Sequence, residues 1–489
     1  MTHTVVPQTP PNPPSDFKWE IDEETGGVTI IRFLDETATA CVVPDEIDGR
    51  PVTKIGCDAF SEHDSLESVK LPNGVKVIER DAFCFCYSLT SIEFPNDLEL
   101  IAEEAFFACD SLTSLEFPPN LKSIESNAFF KCQSLKSVAF PKNLRIIDDE
   151  AFRSCESLTS LNLPDELEFI GKSAFENCKA LTTVATSKKL KIVGAFAFQN
   201  CASLTTFTIS DDLEIIEQGA FNACSQLAEF NVSSNSRRFK LVDGVLFTKG
   251  GKKLIAYFEN LRPLDQRNVY VVPDGVETIQ GGAFCECAAL TSVVFPKGLK
   301  TIGEDAFCGC VALTSVAFPK SLKTIGEGAF CGCAALTSVA FPVGVKTVGQ
   351  YAFTGCSRLT EFKASPASRR FKLVDGVLFS KDGKTLVAYF EKLRKSDRRT
   401  TYKIPDGVET IQGGAFYGCE SLTSVALPNS LKTLNDFAFD FRASSTETAF
   451  SDEAPNPEKR AGAGFAIYGA VGSIAEEYAI SCGFRFIPR

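Results

Sequence analysis

The chain has 489 residues, a formal net charge of −12, 42 phenylalanines and 19 cysteines, against two histidines, one tryptophan and one methionine. That length suits either about three ordinary domains or an array that grows by stacking. The charge excludes non-specific nucleic-acid binding by the molecule as a whole, and no run of about 18 apolar residues is present to span a membrane as a helix.

The first stretch, residues 1–16, is rich in proline and reads as an extended, disordered lead. It has no basic start and no apolar run, so it does not read as a secretory signal. An odd number of cysteines cannot all pair within one chain. Both points lead to the expectation of reduced thiols in a cytoplasmic protein.

From residue 57 onward the dipeptide Ala-Phe sets a ruler. Its phenylalanines are Phe60, Phe83, Phe106, Phe129, Phe152, Phe175, Phe198, Phe221, Phe284, Phe307, Phe330, Phe353, Phe416 and Phe439. All intervals are 23 residues except Phe221 to Phe284 and Phe353 to Phe416, which are 63. The unit reads A-F-x-x-C-x-x-L-x-x-[VILF]-x-[FLI]-P-x-x-[LV]-x-x-[IV]-x-x-x. Two apolar positions two residues apart, such as Val316 and Phe318, have strand period, and a proline such as Pro319 fits the strand's end. One unit cannot bury so many apolar side chains, but stacked coils can. The expected fold is a β-rich repeat solenoid with parallel strands, one main sheet and tight turns, with room for a single helical turn at each A-F-x-x-C. The repeat blocks are 57–235, 273–367 and 405–442.

The two long intervals are copies of each other. "SRRFKLVDGVLF" begins at Ser236 and again at Ser368, an offset of 132. Each is read as an inserted β-hairpin, at 236–272 and 368–404. Asp382-Gly383 gives a two-residue hairpin signal, and Gly250-Gly251 is its weaker counterpart. The first insert holds eight Lys/Arg and three Asp/Glu, the second eleven and four. Arg237, Arg238, Arg369 and Arg370 are therefore candidate contacts for an anionic partner. Residues 443–463 read as a polar loop and 464–489 as a C-terminal cap. In that cap Ser473 and Glu476 have the spacing of a capping box, and Phe484 and Phe486 read as a last strand.

The pattern L-x-x-V-x-F with a preceding cysteine, as in "AFCGCVALTSVAFPKSLKTIGEG", resembles the BspA-like leucine-rich repeat family. The resemblance extends over about residues 17–489. It implies that "VVPDEIDGRPVTKIG", Val42 to Gly56, ends an N-terminal capping coil spanning 17–56. It also implies a non-catalytic protein-interaction or scaffold role, or alternatively a cell-surface or secreted adhesin or antigen that binds host or matrix proteins.

The cysteines sort by column. Cys86, Cys109, Cys132, Cys155, Cys178, Cys201, Cys224, Cys287, Cys310, Cys333, Cys356 and Cys419 stand three residues after the ruler phenylalanine, and form a structural ladder. Cys285, Cys308 and Cys331 stand one residue after it in consecutive coils. Stacked at about 4.8 Å, that file lies within the reach of a disulfide or a soft metal, although a position copied along with its repeat explains it as well. The outward sheet columns are the candidate face for a protein partner. One holds Ser292, Ser315 and Ser338, and the other turns small at Val294, Ala317 and Ala340. His3 lies in the lead and His63 in the cysteine column, so no Ser/His/Asp or Cys/His arrangement can be assembled. The chain is read as a non-enzyme without a cofactor or a metal.

Overall fold

The computed structural model describes residues 10–394, 400–419, 421–435, 437–439 and 465–489. His3, part of the second insert's basic run and the 443–463 loop lie outside them. The chain divides into two compact units, Met1–Gly244 and Val245–Arg489, so the division falls inside the first insert. Each unit is a parallel-strand β-solenoid.

In the first unit the coil repeats because each residue finds its counterpart 23 positions on. The two-residue strands Val77–Ile78, Leu100–Ile101, Ser123–Ile124, Ile146–Ile147, Phe169–Ile170, Ile192–Val193 and Ile215–Ile216 pair in parallel, one after another. The sheet continues back through Arg50–Ile55 to Val28–Phe33 and its antiparallel partner Phe17–Ile21. A second wall comes from the serine-headed strands, such as Ser114–Glu116 beside Ser137–Ala139. The expectation of one main sheet is thus corrected. There are two, and the short apolar pair after the proline builds the less broken one. Its two residues alternate, one facing solvent and one the core, as at Ile146 and Ile147.

The expected helical turn at A-F-x-x-C is also corrected. Backbone φ is positive two residues before the ruler phenylalanine and again two after it, as at Asp81 (56°) and Phe85 (60°), or Glu104 (57°) and Ala108 (54°). A right-handed helix cannot pass through such residues. The turn has its own ladder instead. Within the regular runs the ruler amide donates to the alanine carbonyl of the next coil, as from Phe60 to Ala82 (2.7 Å) and from Phe106 to Ala128 (2.8 Å).

Packing follows from the same register. Ruler rings lie one on another, from Phe60–Phe83 (4.7 Å, 10°) to Phe198–Phe221 (5.7 Å, 4°). Burying each ring contributes about 1.5–3 kcal/mol, and stacking adds about 0.5–1.5 kcal/mol. The stack starts at Phe17 and Phe33 of the capping coil. Residues 10–16, the described part of the lead, are tied to the capping coil. Asn12 donates its amide to the Val42 carbonyl (2.8 Å) and accepts from the Val42 amide through Oδ1 (2.9 Å).

The second unit shows what an insert is. Phe371–Val374, Val377–Ser380 and Thr385–Tyr389 form an antiparallel meander of three strands, one more than a hairpin. Its tight two-residue turn is at Asp375-Gly376, both left-handed (φ 46° and 75°), a primed turn. Asp382-Gly383, the expected site, lies in a four-residue loop between Ser380 and Thr385. There Asp382 Oδ1 accepts from the Lys384 amide and the Ser380 hydroxyl. The last strand of the meander then rejoins the solenoid, pairing in parallel with Thr410–Ile411. Tyr389 takes the ruler position, with its amide on the Ala415 carbonyl (2.8 Å) and its ring on Phe416 (4.9 Å). Tyr257 does the same against Ala283 and Phe284 in the other copy. Each 63-residue interval therefore hides one ruler step.

At the C-terminus Ala466–Gly469 pairs in parallel with Ser424–Ala426 and with Arg485–Pro488, and the helix Ile474–Ser481 lies between these last two strands in sequence. The capping box is not made. Ser473 Oγ donates to the Ala470 carbonyl (2.6 Å), and the Glu476 carboxylate accepts from the Gly472 amide (2.6 Å). The glycine approaches closely enough for the carboxylate to bypass the expected Ser473 amide.

Candidate interaction surface

In the second unit the serine-headed strands Val269–Val271, Ser292–Val294, Ser315–Ala317, Ser338–Phe341 and Glu361–Ala364 lie side by side in parallel. Their middle residues Val293, Val316 and Val339 are buried, which turns both neighbours outward. One outward row runs Val269, Ser292, Ser315, Ser338 and Glu361, the other Val271, Val294, Ala317, Ala340 and Lys363. The three candidate serines are thus adjacent in one row. Val269, Val271 and Val294 are 46%, 62% and 50% exposed, large values for apolar side chains on a sheet. Val269 and Val271 were not legible as part of this face. They precede the first ruler residue of their block, so no Ala-Phe sets their register. The threonines beside the face are committed to the backbone, with Thr314 Oγ1 donating to Thr291 and Thr337 Oγ1 to Thr314 (both 3.1 Å).

Elsewhere many lysines are matched to a carboxylate one coil earlier. Lys179 meets Glu156 (2.7 Å), Lys191 meets Glu168 (2.5 Å), and Lys300 meets Glu277 (2.5 Å). Such exposed pairs contribute about 0–1 kcal/mol each, but they neutralise the flank. Arg237, Arg238, Arg369 and Arg370 are exposed and make no ion pair among the described residues. Arg394, in contrast, is buried. It lies over the rings of Tyr389 (5.3 Å) and Tyr402 (4.6 Å) and donates to the Asp375 carbonyl (2.8 Å), holding the meander's turn.

Ten of the twelve column cysteines donate to the ruler carbonyl of the preceding coil. The series runs from Cys86 on Phe60 (2.9 Å) through Cys109, Cys132, Cys155, Cys178, Cys201 and Cys224, and resumes at Cys310 on Phe284 (3.0 Å), Cys333 and Cys356. The two others, Cys287 and Cys419, follow the inserts, where the preceding coil is irregular and sulfur–oxygen distances lengthen to about 4 Å. Burial pushes these thiols up, as at Cys333 and Cys419. Cys285, Cys308 and Cys331 are half-buried and unbridged. Cys308 is raised by its contact with Cys285, and Cys331 by its contact with Cys308, with burial adding to both. Among the described residues no group of three or more His, Cys, Asp or Glu is arranged to hold a metal. His63 is buried against the ring of Phe33 (5.2 Å), and that burial lowers its pKa. No described helix is long and apolar enough to cross a membrane.

The family model described as a BspA type leucine rich repeat region matches residues 53–178, 145–241, 258–373 and 393–460. A leucine rich cell surface protein from Faecalibacterium prausnitzii A2-165 is similar in structure, with a TM-score of 0.52 and 22% identity over 89% of this chain and 93% of that one. A leucine-rich repeat protein from Eubacterium ventriosum has a TM-score of 0.47 and 19% identity, covering 89% and 96%. The pneumococcal vaccine antigen PcpA has a TM-score of 0.43 and 20% identity, covering 97% of each chain. None of the curated proteins matches the chain.

Proposed function

The chain belongs to the BspA-type leucine-rich repeat family, and we propose that it is a non-catalytic interaction or scaffold protein that holds a protein partner on the outward sheet face of its second unit. The observation that carries this reading is the uncharged double row of Val269, Ser292, Ser315 and Ser338 beside Val271, Val294, Ala317 and Ala340. Exposed β-branched side chains there do nothing for the core. Burying them under a partner removes apolar area from water without desolvating a charge. The test is a triple variant, Val271→Glu, Val294→Glu and Ala317→Glu. Loss of partner capture with an unchanged melting curve supports the reading, and unchanged capture removes it.

The basic inserts are a second contact region, for an anionic partner, at Arg237, Arg238, Arg369 and Arg370. As for location, unbridged and mostly buried thiols fit a reducing, cytoplasmic setting. The alternative is a surface antigen or adhesin, and the description of the F. prausnitzii protein as a cell surface protein fits the location but not yet the role. Protease treatment of intact cells separates the two, because only a displayed chain is cleaved.

A further inference from the structure

In the second insert three cations share one face of the meander, and a fourth precedes its first strand. Phe371 pairs with Ser380, and the Lys381 amide donates to the Arg370 carbonyl (2.7 Å), so Arg370 and Lys381 stand opposite each other. Opposite residues share a face of the sheet, and the alternation of the strand puts Lys372 on that same face. Lys372 Nζ lies 2.8 Å from where a Cβ on Gly383 would stand, so its stem folds over the loop. Arg369 precedes the strand and is exposed like Arg370 and Lys381.

The acid of this loop compensates the cluster only in part. Asp382 gives Oδ1 to the Ser380 hydroxyl (2.6 Å) and the Lys384 amide (3.0 Å), and the Ser380 bond is the main cause of its lowered pKa, with the charges of Lys384 and Lys372 adding to it. Lys384 is already committed to Glu409 (2.7 Å). Among the described residues Arg369, Arg370, Lys372 and Lys381 have no carboxylate within ion-pair distance, on a chain whose net charge is −12. A cluster of cations without ion-pair partners attracts an anionic partner.

We propose that this cluster binds an extended sulfated polysaccharide. The claim deepens the reading of the inserts as an anionic contact. The cluster lies along strands and a loop at the surface, which suits charges repeated along a chain. Two guanidinium forks and two ammonium groups match the oxygens of sulfate esters. Every described aromatic ring within 368–404 is buried, so unpaired bases find no stacking platform. The same four residue types recur in the sequence 132 residues earlier as Arg237, Arg238, Lys240 and Lys249.

The experiment uses the full chain and immobilised heparin, with desulfated heparin, a 24-base-pair DNA duplex and anionic vesicles as comparison probes. One variant carries Arg369→Gln, Arg370→Gln, Lys372→Gln and Lys381→Gln, a second the equivalent changes in the first insert, and a third both sets. The expected result is retention on heparin only, weakened about tenfold in each single-insert variant, lost in the combined one, and flattened in salt dependence. Circular dichroism melts of the variants are expected to match the parent. Three results overturn the proposal: no retention of the parent on heparin, equal retention of the combined variant, or equal retention on desulfated heparin. If DNA or vesicles are held through these residues and heparin is not, the sulfated glycan falls while the anionic contact stands. If none of the probes depends on them, both fall.

Discussion

The same sheet column runs through both units with the same inside and a different outside. In the first unit Leu115, Leu161, Val184 and Phe207 face the core, as Val293, Val316 and Val339 do in the second. Outside, the first unit carries Lys70 paired with Glu93 (2.9 Å), then Glu116, Ala139, Asn162, Ala185 and Thr208, and it ends at Asn231, so charged and polar residues interrupt its small ones. The second carries Val271, Val294, Ala317 and Ala340 before charge returns at Lys363. Packing against the ruler rings fixes the inward residue, while the outward one is free. A polar row is what a solvated sheet favours, and the uninterrupted apolar row on a similar core is the contrast on which the proposed partner face rests.

The comparison requires that the cores be equivalent, and this is where the largest effects lie. Phe307→Ala and Phe129→Ala each remove a ring stacked on both sides, at 4.7 and 5.1 Å and at 5.1 and 5.2 Å. Each is expected to cost about 3–5 kcal/mol by denaturant unfolding, with the two values close to each other. A large disparity would break the premise of a shared core. Next in size is the cysteine ladder. Cys333→Ala removes the thiol from the Phe307 carbonyl, which keeps the Cys310 amide (3.2 Å), and costs about 1 kcal/mol. Cys419→Ala is expected to cost less, because its sulfur reaches Tyr389 only at 4.0 Å. Equal losses would mean that the thiol acts through volume alone.

A pH effect of similar or smaller size belongs to the second unit. Burial, with Glu304 and Glu327 adding, pushes the Asp305 carboxyl up to about 7 from an ordinary 3.8. The folded state thus holds this proton longer than the unfolded chain. Its contribution is fully present below about pH 4 and is lost as pH rises through about 7. Asp305→Asn is expected to raise the melting temperature more at pH 8 than at pH 5, and an equal shift at both would contradict the assignment. The smallest stability effect is on the face itself. Val294→Lys should change stability by no more than about 0.5 kcal/mol, and a large loss would show that the apolar row serves the fold.

The ruler, with the cysteines set on it, was legible because the 23-residue spacing repeats the same evidence coil after coil. What repeats less was harder to read. Tyr257 and Tyr389 continue the ring stack, but Tyr replaces Phe and the next ruler residue follows after 27 positions, so the two steps did not register. Ala256-Tyr257 and Ala388-Tyr389 were the available signal. The turn at Asp375-Gly376 was passed over for Asp382-Gly383, since both dipeptides have the chemistry of a primed turn and only strand pairing separates them. Glu476 shows the limit of spacing rules, because its carboxylate reaches a nearer amide than the one the pattern names.

The central claim is that a protein partner lies on the outward face of the second unit. Site-specific photo-crosslinking tests it most directly, with the crosslinker placed at Ala317 in one protein and at the matching Asn162 in another. The account predicts that a discrete partner protein is trapped from position 317 and not from position 162. Equal trapping at both positions, or trapping at 162 alone, would contradict it.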